Sequence, residues 1–296
     1  MKALLDVESL GAGGIRRLLD RARIHAGTLR AGERPSPTLD GRVVGLLFFE
    51  PSTRTRMSFD LAARHLGALV SVFDPERSSL AKGESLRDTV LTVSAIGAEI
   101  LVVRHPEVRT PGLVHAWTGR PVVNAGDGTG HHPTQALADC LTLEGRFGSI
   151  EGLRVAVVGD IVHSRVAGSL TAALTLLGAE VVLVGPKEML PAESDHPKVE
   201  DLDEVVAGVD VVYLLRVQKE RGAEVGDDYE DRFQLDLTRS ARMKPDAVVM
   251  HPGPMNRGVE IAIEVADGPR SLILEQVANG VPVRMAALEA VGGVDW

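Results

Sequence analysis

The chain has 296 residues, of which 44% are hydrophobic, 25% charged and 3% aromatic, and it carries a formal charge of −9. This composition excludes a disordered chain, a collagen-like repeat and a disulfide scaffold; the acidic excess and the scarcity of aromatic rings exclude a broad surface for nucleic acid or anionic membrane. The length predicts two compact domains with a binding cleft between them, and an anionic small substrate fits only if basic groups are concentrated locally.

An N-terminal helix is expected from Leu18, Leu19, Ala22 and Ile24, ending before Pro35 and Pro37. The branched apolar run from Val43 to Phe49 reads as a strand buried on both faces of a parallel sheet, and Arg56 to Leu66 as the amphipathic helix that follows it. The order recurs with a strand at Ala68 to Phe73, a helix at Ser85 to Ala95 and a strand at Glu99 to Val103. A helix around Thr134 to Phe147 joins this half to a second, in which Leu153 to Val158 is a strand and a helix runs to about Leu177. Further strands are expected at Val181 to Val184, Val209 to Leu215 and Ala247 to Met250, and a last helix from Ser271 to about Leu288. Alternation of this kind predicts an α/β fold of two similar parallel-sheet domains with helices on both faces, joined by interdomain helices.

A single cysteine, Cys140, rules out an internal disulfide and a Cys-rich metal site. The N-terminus meets Asp6 before any signal-peptide core develops, and the apolar runs fall short of a membrane span, so the cytoplasm is the expected compartment.

Chemistry concentrates where strands give way to helices. In Phe48-Phe49-Glu50-Pro51-Ser52-Thr53-Arg54-Thr55-Arg56, backbone N–H groups at a helix start, three hydroxyls and the planar Arg54 fork suit a phosphate group. The competing reading is an ordinary Ser/Thr-capped helix with solvated arginines. No Walker loop and no Gly-x-Gly-x-x-Gly fingerprint is present, which leaves nucleotide binding without support.

Phe48-x-Glu50-x-Ser52-Thr53-Arg54-Thr55 resembles the signature of the carbamoyltransferases, whose carbamoyl phosphate sits on this loop. Four further segments extend the resemblance over the chain and direct it to the aspartate branch of that family: Lys82-Gly83-Glu84-Ser85, His132-Pro133-Thr134-Gln135, Arg216-Val217-Gln218-Lys219-Glu220-Arg221 and His251-Pro252-Gly253-Pro254. The ornithine branch is the alternative; it typically carries a His-Pro-Cys-Gln and a late His-Cys-Leu-Pro segment, where this chain has Thr134 and Gly253. A catalytically silent relative is a second alternative, disfavoured because the motif residues are present.

The resemblance implies transfer of a carbamoyl group from carbamoyl phosphate to the amine of L-aspartate, in pyrimidine biosynthesis, without a cofactor or metal. It implies a carbamoyl phosphate domain over 1–133, an interdomain helix over 134–148, an aspartate domain over 149–270 and a C-terminal helix over 271–296 returning to the first domain. Ser52, Thr53, Arg54 and Thr55 would hold the phosphate with Arg104, and His132 and Gln135 would meet the carbamoyl oxygen and amide. Gly253 and Pro254 would offer backbone carbonyls, and Arg165, Arg216, Gln218 and Lys82 would bind aspartate. Lys82 and a serine, Ser78 or the favoured Ser79, would enter the site from a neighbouring subunit of a homotrimer. That trimer stands alone or joins regulatory or dihydroorotase-like chains.

Overall fold

The computed structural model describes residues 1–217 and 228–295. They divide into two compact units, Met1–Leu141 with Ala278–Trp296, and Thr142–Val277.

In the first unit the chain forms β1 (Ala3–Leu4), α1 (Gly11–Arg30), β2 (Val43–Phe48), α2 (Thr53–His65), β3 (Leu69–Phe73) and α3 (Leu86–Ala95). It continues through β4 (Ile100–His105), α4 (Thr110–Thr118) and β5 (Val122–Asp127) into α5 (Pro133–Phe147). The strands make one parallel sheet in the order β1-β5-β4-β2-β3. Val44, Leu46 and Leu47 of β2, together with Ile100 to Val103 of β4, are buried, as a central parallel pair covered on both faces requires. β3 differs from the expected buried strand. It is the edge of the sheet, and Leu69 and Val72 are 61% and 50% exposed.

Two details of the helix reading change. The buried stripe of α1 runs through Ile15, Leu18, Leu19, Ala22, His25 and Ala26, while Ile24 faces outward. Positions three and four beyond Ala22 share its face, whereas Ile24 lies two beyond and is turned away. α2 begins at Thr53, three residues before the expected start, so Thr53, Arg54 and Thr55 belong to its first turn. β5 and α4 were not expected, because Val122-Val123-Asn124-Ala125-Gly126-Asp127 mixes buried polar residues into a short run and breaks both simple periodicities.

The second unit contains β6 (Arg154–Val158), α6 (Arg165–Leu176), β7 (Glu180–Val184), β8 (Lys198–Val199) and β9 (Val211–Leu214). After these come α7 (Tyr229–Phe233), α8 (Leu237–Arg242), β10 (Val248–Met250) and α9 (Ile263–Ala266). Its sheet is also parallel, in the order β10-β9-β6-β7-β8. Val158, Val184, Val212 and Leu214 pack with Tyr229, Phe233 and Ile261 in its core. The last helix, α10 (Ile273–Gly292), starts in the second unit and ends in the first. In the first unit its buried Glu289 meets Arg21 and His25 of α1. Among the described residues no helix is long and apolar enough to cross a membrane.

Candidate functional site

In a parallel sheet all strands end on one edge, and the loops leaving neighbouring strands converge there. β2, β4 and β5 are adjacent in the first unit, so the segments carrying Ser52 to Thr55, Arg104, and His132 with Gln135 emerge side by side. Arg104 ties them together. It is paired with Phe48 across β2 and β4, and its carbonyl accepts from the Phe49 N–H at 2.8 Å. Its Nε lies 3.3 Å from Glu50 Oε2, and its Nη1 donates to the Ala125 carbonyl of β5 at 3.4 Å. The guanidinium is therefore held by a carboxylate from one neighbouring loop and a carbonyl from the next strand, at the edge where ligands bind in this class of sheet.

The start of α2 distinguishes a capped helix from a binding loop. Ser52 occupies the N-cap in extended conformation, yet its hydroxyl caps no backbone N–H of the first turn. Ser85 and Ser164, at the same position of α3 and α6, accept from Asp88 N and Ala167 N. The first turn of α2 also holds Arg54 without an acidic residue. A cation at the positive end of a helix dipole is unfavourable unless an anion compensates, and the N–H groups of a helix start suit an anion. Ser164→Ala should therefore cost about 1 kcal/mol of stability in urea unfolding. Ser52→Ala should change stability by less than about 0.5 kcal/mol and instead weaken inorganic phosphate binding in a calorimetric titration.

His132 is the residue before α5 and is 4% exposed. The loop delivering it is organised by Asp127, a buried acid to which the motif reading gave no role. Its Oδ1 accepts from Asn124 Nδ2 at 2.9 Å and from His131 N at 2.7 Å, and its Oδ2 accepts from Arg109 N at 2.7 Å. Gly128, at φ +45, lies where a Cβ would stand 2.5 Å from the Pro106 carbonyl, so only glycine fits this turn. The signal in the sequence was an acid set between two glycines at the end of a strand-like run. Gln135, one turn into α5, donates from Nε2 to Asp139 Oδ1 at 2.9 Å.

Lys82 lies in a short helical turn, Ser79–Lys82, closed by Gly83 at φ +92, and Lys82 and Ser79 are exposed. The hydroxyl of Ser78 donates to the Pro75 carbonyl at 2.8 Å and accepts from Leu80 N at 3.3 Å. Of the two serines, it is Ser78 that holds the turn itself.

In the second unit the adjacent strands β10, β9 and β6 likewise end on one edge. Arg165 opens α6 after β6 and is 5% exposed; Arg216 follows β9 and is half-buried. Between the ends of β6 and β9, Gly159 adopts φ +118, and a Cβ there would meet the Leu215 carbonyl at 2.8 Å. Gln218 lies outside the described residues.

The turn after β10 is fixed by His251, which is 1% exposed. Its Nδ1 accepts from Gly253 N at 2.8 Å, which places its proton on Nε2, 3.1 Å from Glu260 Oε1. Glu260 also accepts from Asn256 N at 2.6 Å, and Gln276 Oε1 accepts from His251 N at 2.9 Å. The Gly253-Pro254 peptide bond is cis. Tyr229 is buried among these groups, and its phenol is pushed above its ordinary range by burial and then by the Glu260 and Asp160 charges.

Residues 2–145 match the carbamoyl-P binding domain of the aspartate/ornithine carbamoyltransferases, and residues 151–291 match their Asp/Orn binding domain. The chain is 49% identical over 298 residues to the aspartate carbamoyltransferase catalytic subunit of Salinispora arenicola, covering 97% of each chain. It is 50% identical over 295 residues to that of Thermobifida fusca, covering 97% of this chain and 94% of the relative. Among solved structures, it resembles aspartate transcarbamoylase from Trypanosoma cruzi in complex with N-(phosphonacetyl)-L-aspartic acid, with a TM-score of 0.89 and 32% identity over 97% of this chain and 94% of the other. The same enzyme in complex with carbamoyl aspartate and phosphate gives a TM-score of 0.88 at 34% identity, over the same shares of the two chains. With both domains matched along nearly its whole length, and half of its residues shared with such relatives, this chain belongs to the aspartate/ornithine carbamoyltransferase family.

Proposed function

We propose that this protein transfers the carbamoyl group of carbamoyl phosphate to the amine of L-aspartate, giving N-carbamoyl-L-aspartate and phosphate. The observation that carries the reading is the start of α2, where the Ser52 hydroxyl makes no cap bond and Thr53, Arg54 and Thr55 form a first turn with no acidic residue, at the same sheet edge as Arg104 and His132. Phosphate oxygens bind the N–H groups, the hydroxyls, Arg54 and Arg104. His132 donates to the carbamoyl oxygen and stabilises the negative charge that develops there, and Gln135 meets the carbamoyl amide. The first unit is thus the carbamoyl phosphate domain and the second the aspartate domain.

Aspartate brings two carboxylates, which require cations, whereas ornithine would bring a side-chain ammonium, which requires acids. Arg165 and Arg216 lie on the second unit's sheet edge, in keeping with aspartate and with the names of the relatives. In this reading Gln218 assists them, and Gly253 and Pro254 turn their carbonyls toward the carbamoyl amide and the aspartate amine. The aspartate nitrogen bonds to the carbamoyl carbon, the bond from that carbon to the phosphate oxygen breaks, and the departing phosphate accepts the amine proton. Positioning two reactants supplies much of the rate.

The active unit is a homotrimer in the cytoplasm, in which Lys82 and Ser79 reach a neighbour's site. Both are exposed, and the edge strand β3 and the residue that ends α3 carry exposed Leu69, Val72 and Ile96, apolar surface consistent with self-association. The test is a phosphate-release assay with carbamoyl phosphate and either L-aspartate or L-ornithine. Turnover with aspartate at least 100 times that with ornithine is expected; the reverse preference, or turnover with neither, would reject the reading.

A further inference from the structure

A glutamine beside a carbamoyl group can face it with its carbonyl or with its NH2, and the two ends recognise opposite things: the first accepts from an amide NH2, the second donates to an oxygen. In this protein the choice is made by the residue one turn further along α5. Gln135 Nε2 donates to Asp139 Oδ1 at 2.9 Å, and Asp139 is completely buried. An ionised carboxylate only accepts hydrogen bonds, so Gln135 has one way round in which this contact exists.

Asp139 needs a counter-charge to remain ionised in the interior. Arg284 of α10, within the same unit, is 4% exposed, and its guanidinium lies 5.3 Å above the Phe59 ring of α2. Burial pushes Arg284 down to about 10, and the neighbouring Asp139 charge acts in the other direction and favours its cationic form. The helix pair therefore places a buried carboxyl group, with a cation near it, behind Gln135.

We infer that Asp139 is a positioning residue that fixes the Gln135 amide with its carbonyl oxygen toward the substrate, so that the site selects an acyl phosphate bearing an NH2 group over one bearing a methyl group. The inference rests on the reading that Gln135 meets the carbamoyl group. A methyl group cannot donate to Oε1 and would leave that oxygen without a partner, whereas the carbamoyl NH2 satisfies it.

The test uses equilibrium titration of the full-length protein, without aspartate, with carbamoyl phosphate, acetyl phosphate and inorganic phosphate. Asp139→Asn keeps the shape and lets the amide turn over, because asparagine can donate as well as accept. Its Kd for carbamoyl phosphate should rise about tenfold, with acetyl phosphate and phosphate changed by less than about twofold. A purely structural role would weaken all three together, and that result, or an unchanged affinity for carbamoyl phosphate, would overturn the inference. Should Asp139→Asn not fold, because Arg284 has lost its counter-charge, the double variant Asp139→Asn/Arg284→Met removes both buried charges and carries the same expectations. Gln135→Ala separates the two levels. A tenfold loss there with no effect of Asp139→Asn rejects the positioning role alone, while an unchanged carbamoyl phosphate affinity in Gln135→Ala rejects the assignment of Gln135 and the inference with it.

Discussion

Arg54→Ala is expected to lower kcat/KM for carbamoyl transfer on the order of 100- to 1,000-fold, measured by phosphate release under saturating L-aspartate. Arg54 sits in the first turn of α2, where the helix dipole disfavours a cation and no acid of that turn offsets it. Its side chain is exposed, and an exposed position of this kind contributes little to folding. Unfolding of the variant in urea should therefore match the parent within about 0.5 kcal/mol, so that lost activity reports lost contact with the departing phosphate. The same variant also tests the shared site. Arg54→Ala and Lys82→Ala subunits, each inactive alone, should regain activity when unfolded together and reassembled, since one interface in a mixed trimer combines an intact Arg54 with an intact Lys82. No recovery in a mixture shown by native mass to contain hybrids would reject the intersubunit role of Lys82.

Glu289→Ala should cost about 3–5 kcal/mol of stability in denaturant unfolding, the magnitude typical of breaking a buried ion pair. The Glu289 side chain has no solvent exposure, and its oxygens accept from Arg21 Nε and Nη2 at 2.6 and 2.7 Å, from His25 Nε2 at 2.8 Å and from Thr38 Oγ1 at 2.7 Å. Removing the carboxylate strips these donors of their acceptor and loosens α10 from α1. Burial opposes ionisation of Glu289, but the hydrogen bonds from Arg21, His25 and Thr38 outweigh it and hold the carboxyl down at about 2, below its ordinary 4.5. A carboxylate depressed in the folded state stabilises that state fully above its ordinary value, and the contribution is lost as the pH falls toward the depressed one. The parent should thus lose this part of its stability between pH 4.5 and about 2. Glu289→Gln should lack that component of the acid dependence, and an identical pH profile in the two proteins would count against the assignment.

Much of the architecture was legible in the sequence because it depends on local pattern. Val43 to Phe49 and Leu153 to Val158 are apolar runs too short for helices and too continuous for one-sided strands, which leaves a sheet covered on both faces. The loop residues were legible for another reason: the nine residues from Phe48 to Arg56 group phosphate donors at a helix start and resemble the carbamoyltransferase signature. What the pattern missed was β5, whose buried Asn124 donates to the Leu5 carbonyl and to Asp127, with Asp127 in turn accepting from His131 N in the loop that delivers His132, and the outward turn of Ile24.

The sequence by itself determined the alternation of strands and helices and the strand-to-helix loops, because these follow from composition and spacing along a few turns of chain, and its resemblance to the carbamoyltransferases singled out Ser52, Arg54, Arg104, His132 and Gln135. Only the tertiary structure decided that the Ser52 hydroxyl leaves its helix uncapped, that Glu50 and Ala125 hold Arg104, and that Asp139 and Arg284 stand behind Gln135. The physical reason is distance along the chain. A cap can be guessed from neighbours, but the charge that stabilises a buried acid on α5 comes from α10, and no local periodicity records which distant side chain will share its interior.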